Sequence, residues 1–188
     1  YKDGHGVRIP QHGNSHTASF MVGNKINDKN DVKVSYDTYR GDVMYSDHLG
    51  ALNHIRYGNE ANDSLRAIWN NKISNRWSHQ LYLMNHYKTT YDRYLTDVKT
   101  RGIGDQVTYK AKDHTVVGGF DWRQDKVVNM GGVKLTNASY FIQDEWKFAP
   151  KWTVTPGIRI DHHSSFGTHT SPSISLGYDV NAKTNVYA

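Results

Sequence analysis

Eleven histidines and 13 tyrosines stand in a chain of 188 residues that contains no cysteine. Any transition-metal or ferric chemistry would therefore run through imidazole nitrogens and phenol oxygens, not thiolates. These residues cluster. His5, His12 and His16 fall in the first segment, His48 and His54 in a second, and His162, His163 and His169 in a third, with Tyr45, Tyr91 and Tyr94 placed comparably. The candidate ligand-binding set is His5, His12, Tyr45, His48, Tyr91, Tyr94, His162 and His163. No His-x-x-x-His pair or other compact ligand spacing accompanies them, so the sequence points to no resident metal and no cofactor. The plainer reading is that they are ordinary polar loop residues. The run Asp161-His162-His163-Ser164-Ser165 has the residue types of a hydrolase. Adjacent strand residues, however, point to opposite faces, and no partner from another strand is assignable. No enzymatic activity is expected, and no catalytic residue is assigned.

The elements that would position these residues are amphipathic hairpins. In the stretch 139–167, Tyr140, Ile142, Trp146 and Phe148 fall on one face and Ser139, Gln143, Glu145 and Lys147 on the other, the period-2 alternation of a strand between two surroundings. Ala149, Pro150 and Lys151 reverse the chain. Trp152, Val154, Pro156, Ile158 and Ile160 then alternate with Thr153, Thr155, Gly157, Arg159 and Asp161. The same rhythm predicts strands over 17–26, 31–40, 65–73, 77–94, 101–111, 115–123 and 173–180, with a last one beginning after 183. Residues 1–16, 41–62, 95–100, 124–133 and 162–171 read as connections. The short turns near 28, 75, 113, 150 and 182 alternate with the longer loops, which places tight turns at one end of the strands and long loops at the other.

The composition agrees with β structure. Apolar residues make up 37% of the chain, against 16 Gly and 4 Pro, and mean hydropathy is -0.75. No run of about 18 apolar residues exists that could form a transmembrane helix, and no signal-peptide pattern is seen. The formal charge of +5 is spread as single Lys and Arg residues among Asp and Glu, without the clustered basic face of a phosphate-backbone reader. No nucleic-acid partner is expected. Scattered Lys and Arg near the loop ends read as solvated surface, with lipopolysaccharide phosphates as their other conceivable partner.

Strands of about ten residues or more, antiparallel and amphipathic, with uneven turns, fit the wall of a transmembrane β-barrel better than a soluble sandwich. Aromatics support this independently. Trp77, Trp146, Phe148, Trp152 and Tyr178 sit close to the short turns, whereas Tyr36, Tyr87, Trp122 and Tyr140 sit further up, as two interfacial belts. The fold class expected is all-β, an antiparallel transmembrane barrel segment of about ten strands. Asp105 and Asp144 then fall on the lipid side, where a carboxylate is unfavourable. A β-bulge or an early strand end near each is the expected remedy.

The stretch 137–188 resembles the barrel of TonB-dependent outer-membrane receptors. The matching residues are Tyr140, Phe141, Gln143, Asp144, Trp146, Thr155, Pro156, Gly157, Arg159, Asp161, Phe166, Gly167, Ser171, Pro172 and Tyr178. The resemblance implies a bacterial outer-membrane barrel of roughly 22 strands with a plug in its lumen. It also implies transport driven through the TonB complex by way of that plug, with an iron siderophore, haem or cobalamin as cargo, and contact with outer-membrane lipid and lipopolysaccharide. The chain shows no plug, no TonB-contacting box and no terminal aromatic. It is expected to be part of such a barrel domain over 1–188, its candidate ligand residues lying in extracellular loops. The alternative expectation is a small stand-alone or adhesin-like outer-membrane barrel without active transport.

Overall fold

The computed structural model describes residues 12–49, 52–91, 94–129, 131–181 and 183–188, with backbone alone at 12, 43–49 and 52–57. Alternation of side-chain type along the chain produces strands throughout these residues: β1 (His12–Asn27), β2 (Asn30–Leu49), β3 (Leu52–Asn71), β4 (Trp77–Tyr91), β5 (Leu95–Lys110), β6 (His114–Val127), β7 (Val133–Ala149), β8 (Trp152–His163), β9 (Gly167–Asn181) and β10 (Thr184–Tyr187). They form one 10-stranded sheet in sequence order, every neighbouring pair antiparallel.

Side-chain hydrogen bonds close the short turns. Asn27 Oδ1 accepts from the Lys29 N–H and from Asn30 Nδ2, both at 2.9 Å. Ser74 Oγ accepts from the backbone N–H of Arg76 and Trp77, and Asn181 Oδ1 from that of Lys183. These are the local side-chain bonds that make Asn and Ser turn residues.

The sheet has a single layer. Among the described residues no apolar side chain is buried, and Thr100 and Ser139 are the buried polar ones. Apolar residues instead share one face. Val22, Val34, Ala67, Leu83, Ile103, Trp122 and Ala138 are successive partners across seven strands. Aromatic pairs border this face near the short turns: Trp77 and Tyr109 lie 4.5 Å apart between ring centroids, as do Trp152 and Tyr178. The opposite face is polar and bounds a concavity of about 760 Å³ at the turn end, among Lys25, Asn70, Gln80, Gln106, Thr108 and Lys110. An apolar outside and a wet concave inside invert the plan of a soluble domain and match a barrel wall in lipid.

Two expectations from the sequence are corrected. The long connections largely vanish into strands. Residues 41–62 carry the upper halves of β2 and β3, 95–100 begin β5, 124–127 complete β6, and only 164–166 separate β8 from β9. β2 and β3 each run 20 residues, well beyond the roughly 9 to 11 that cross hydrocarbon. Over these upper halves the apolar alternation of the sequence ends while backbone pairing continues.

The second correction concerns Asp105 and Asp144. Neither is relieved by a bulge. The ladder on both sides of Asp105 is unbroken, and beside Asp144 the register shifts only between Trp146 and Ala149. Both carboxylates remain on the apolar face, and each is paired with a histidine of the neighbouring strand. His79 Nε2 lies 2.8 Å from Asp105 Oδ2, and His114 Nδ1 lies 2.7 Å from Asp144 Oδ2. The histidines pack on outer-face aromatics, His79 edge-on to Trp69 at 5.2 Å and His114 stacked on Trp146 at 5.5 Å. Pairing and hydrogen bonding reduce the penalty that a lone carboxylate in lipid would carry.

Candidate functional site

On the inner face the register aligns Lys33, Ile68, Tyr82, Gly104, Asp121, Ser139, Asp161 and His169 as successive partners. Two small residues let the larger ones reach across strands. A Cβ at Gly104 would overlap the Tyr82 ring, so the glycine allows Tyr82 to lie over β5 and donate its hydroxyl hydrogen bond to Asp121 Oδ1 on β6. Ser139 is buried, and its Oγ accepts from Arg159 Nη2 at 2.6 Å. Arg159 Nε donates to Asp161 Oδ2 at 2.9 Å, while its Nη1 stands 3.7 Å from Asp121 Oδ2. Asn137 Nδ2 donates to Asp161 Oδ1 at 3.3 Å, and the Arg66 guanidinium lies 5.3 Å from the Tyr82 ring centroid.

The result is one connected network from β3 to β8. Charge-assisted bonds fix the donors and acceptors, and Arg159 and its carboxylates stay partly exposed toward the concave side. Such a surface can hold a polar, hydrogen-bonding body against the inside of the wall. It carries no nucleophile–base pair.

The ligand candidates lie elsewhere and do not converge. His5 is outside the described residues. His12 opens β1 opposite Met44, and Tyr45 and His48 lie in β2 opposite Arg56 and Asn53, in strands where loops were expected. Tyr91 ends β4, half exposed, and Tyr94 lies in the following turn at 74% exposure. His162 and His163 end β8 and belong to opposite faces. His162 Nδ1 lies 2.8 Å from Thr168 Oγ1, whereas His163 Nδ1 accepts the Ser165 N–H at 3.1 Å and its ring stacks on Phe166 at 4.7 Å. Tyr91 and His163 stand four strands apart, roughly 19 Å at the usual strand spacing. Among the described residues no three His, Cys, Asp or Glu side chains are grouped to hold a metal ion.

The inner network escaped the reading of single strands. Tyr82, Asp121 and Arg159 were each legible as polar-face residues. Their meeting depends on inter-strand register, for which Gly104 in the middle of a strand is the one sequence signal.

A one-layer meander with an apolar outer face, aromatic borders and a charged, concave inner face defines the wall of a transmembrane β-barrel. The family described as TonB dependent receptor-like, beta-barrel, matches residues 4–188. The chain belongs to this family. No curated protein matches the sequence. Among solved structures, the ferric enterobactin receptor PfeA of Pseudomonas aeruginosa is similar at TM-score 0.77 and 14% identity, over 92% of this chain and 32% of that one. The siderophore receptor PirA of Acinetobacter baumannii is similar at TM-score 0.76 and 14% identity, again over 92% and 32%. OmpT of Vibrio cholerae is similar at TM-score 0.62 and 14% identity, over 79% and 46%. The chain thus spans about a third of the length of the two receptors, and at these identities the likeness is one of fold.

Proposed function

We propose that this chain is part of the barrel wall of a bacterial outer-membrane receptor that takes up an iron siderophore, with energy delivered through the TonB complex. Haem and cobalamin are the other cargo classes of such receptors. The siderophore is favoured because PfeA is named a ferric enterobactin receptor and PirA a siderophore receptor. The observation that carries the reading is the inner network Arg66–Tyr82–Asp121–Arg159–Asp161. It presents fixed charges to the lumen at mid-wall, where a plug would be held, while the same strands show lipid an apolar face.

In this reading the extracellular ends of the strands are the capture surface, and Tyr91, Tyr94, His162 and His163, together with His5, His12, Tyr45 and His48, are its candidate contacts. No resident metal is required, since a ferric ion would arrive already chelated. Outer-membrane lipid surrounds the apolar face.

Deletion of the gene should abolish growth on one ferric siderophore as sole iron source and leave growth on ferrous iron unchanged. Restoration should require both the gene and a functional TonB. Unimpaired growth of the deletion strain on every siderophore, haem and cobalamin source would contradict active transport and favour a passive stand-alone barrel.

A further inference from the structure

Near the upper border of the apolar band, the outer face carries a row of cations that no ion pair among the described residues compensates. Lys99, Lys126 and Lys134 are direct cross-strand partners on β5, β6 and β7. All three share the parity of the apolar row Ile103–Trp122–Ala138 and lie four residues beyond it toward the extracellular end. Like charges directly opposite one another destabilise a sheet, and here three stand abreast.

Two residues below, Arg101, Gln124 and Thr136 form the next row on the same face. It adds a fourth cation and two hydrogen-bonding side chains. Among the described residues the nearest carboxylate on this face along β5 is Asp97, two residues from Lys99 and already accepting from Thr89 Oγ1 at 2.8 Å. Among the described residues no carboxylate forms an ion pair with Lys99, Arg101, Lys126 or Lys134. The comparison with β2 and β3 is direct. There Arg40, beyond the apolar band on the outer face, is closed by Asp63 through contacts of 2.9 and 3.0 Å.

Position selects the anion. Four residues at a strand tilt of about 40° raise the lysines roughly 10 Å above the Ile103–Trp122–Ala138 row, close under the upper border of the apolar band, from which their long side chains reach the lipid headgroups. The row spans two strand spacings, roughly 10 Å. Lys99 rests 5.5 Å from the Tyr87 ring centroid, on a belt residue. Long, flexible lysines are suited to phosphate as point charges. We propose that Lys99, Lys126 and Lys134, supported by Arg101, form a phosphate-binding row on the outside of the wall that seats the phosphorylated headgroup of lipopolysaccharide in the outer leaflet. The inference rests on the outer-membrane reading of the chain and assigns to that reading a lipid-binding site separate from cargo capture.

The test uses the intact receptor in detergent, with purified lipopolysaccharide, the same lipopolysaccharide after chemical dephosphorylation, and phosphatidylglycerol micelles as probes. Membrane fractionation of the wild type comes first; its absence from the outer membrane would overturn the underlying reading. Removal of each lysine should weaken lipopolysaccharide binding about fivefold, so the triple Lys99→Gln, Lys126→Gln, Lys134→Gln variant should bind far more weakly and the triple Arg variant near normally. Wild-type binding should fall comparably on dephosphorylation, weaken with salt, and resist competition by phosphatidylglycerol. Heat-modifiable gel mobility reports that the barrel is assembled. Equal binding by the Gln variant, equal binding of the dephosphorylated lipid, or equal competition by phosphatidylglycerol overturns the proposal. If the Gln variant fails to assemble, the dephosphorylation arm on the wild type decides alone.

Discussion

Two neighbouring rows of the same sheet differ by one residue in every strand and have opposite chemistry. The row Val22, Val34, Ala67, Leu83, Ile103, Trp122 and Ala138 is apolar throughout, and the adjoining row Gly23, Lys33, Ile68, Tyr82, Gly104, Asp121 and Ser139 holds the polar network. Polar groups are treated differently on the two sides. Outside, each carboxylate of the apolar band is held through Oδ2 by one histidine, and its Oδ1 is left without a partner. Inside, Tyr82, Asp121, Ser139, Arg159 and Asp161 link into an open chain with charge facing the concavity. The difference shows what each face meets. Lipid supplies no hydrogen bonds, so a polar group there depends on whatever partner the wall itself provides, here one histidine per carboxylate. A wet or plugged lumen lets charge remain available.

The contrast breaks most sharply at the centre of the outer row. Leu83→Arg should destabilise the barrel by about 2–4 kcal/mol, read as the unfolding midpoint in liposomes, whereas Ile68→Arg on the inner row should change it by about 0.5 kcal/mol or less. Equal losses would contradict the assignment of faces. A smaller effect is expected from His79→Ala, which leaves Asp105 unpaired toward lipid and should lose about 2 kcal/mol. The added change Asp105→Leu should recover most of it, because the orphaned carboxylate goes with its partner. Arg159→Gln on the inside removes charge-assisted bonds to partly exposed partners and should lose about 1 kcal/mol. It should leave assembly intact and raise protease sensitivity at the lumen. Smallest is Trp152→Ala, which breaks the pair with Tyr178 at a loss of about 0.5–1.5 kcal/mol and should shift membrane depth, measurable by Trp fluorescence quenching with brominated lipid, more than stability.

Faces and strand number were legible because period-2 alternation is a local property: Tyr140, Ile142, Trp146 and Phe148 announce one side of β7 without reference to any other strand. The lengths of β2 and β3 were not. Residues 41–62 do not alternate between apolar and polar types, so the sequence carries no strand signal there although the backbone of β2 and β3 pairs. Asp105 and Asp144 resisted for a related reason. Sequence shows a carboxylate on an apolar face, but its remedy, a histidine on the adjacent strand, is set by register, and register belongs to pairs of strands. The same applies to Lys99, Lys126 and Lys134, which are scattered single cations in the sequence and become a row only in the sheet. The candidate ligand residues were chosen by type and by their place between strands. Tyr91 and His163 keep their terminal positions but stand four strands apart, and how far candidates from different loops lie from one another is again set by register, which single strands do not show.

The central claim is that even-numbered residues of β7 face lipid and odd-numbered ones the lumen. Because residues 1–188 contain no cysteine, single cysteines can be placed at Tyr140, Ile142, Gln143 and Glu145 and spin-labelled in the full-length protein in lipid, after replacement of any cysteine outside these residues. The account predicts high accessibility to oxygen and low accessibility to a water-soluble nickel relaxant at 140 and 142, and the reverse at 143 and 145. Accessibility that does not alternate, or that alternates with the opposite phase, would contradict it.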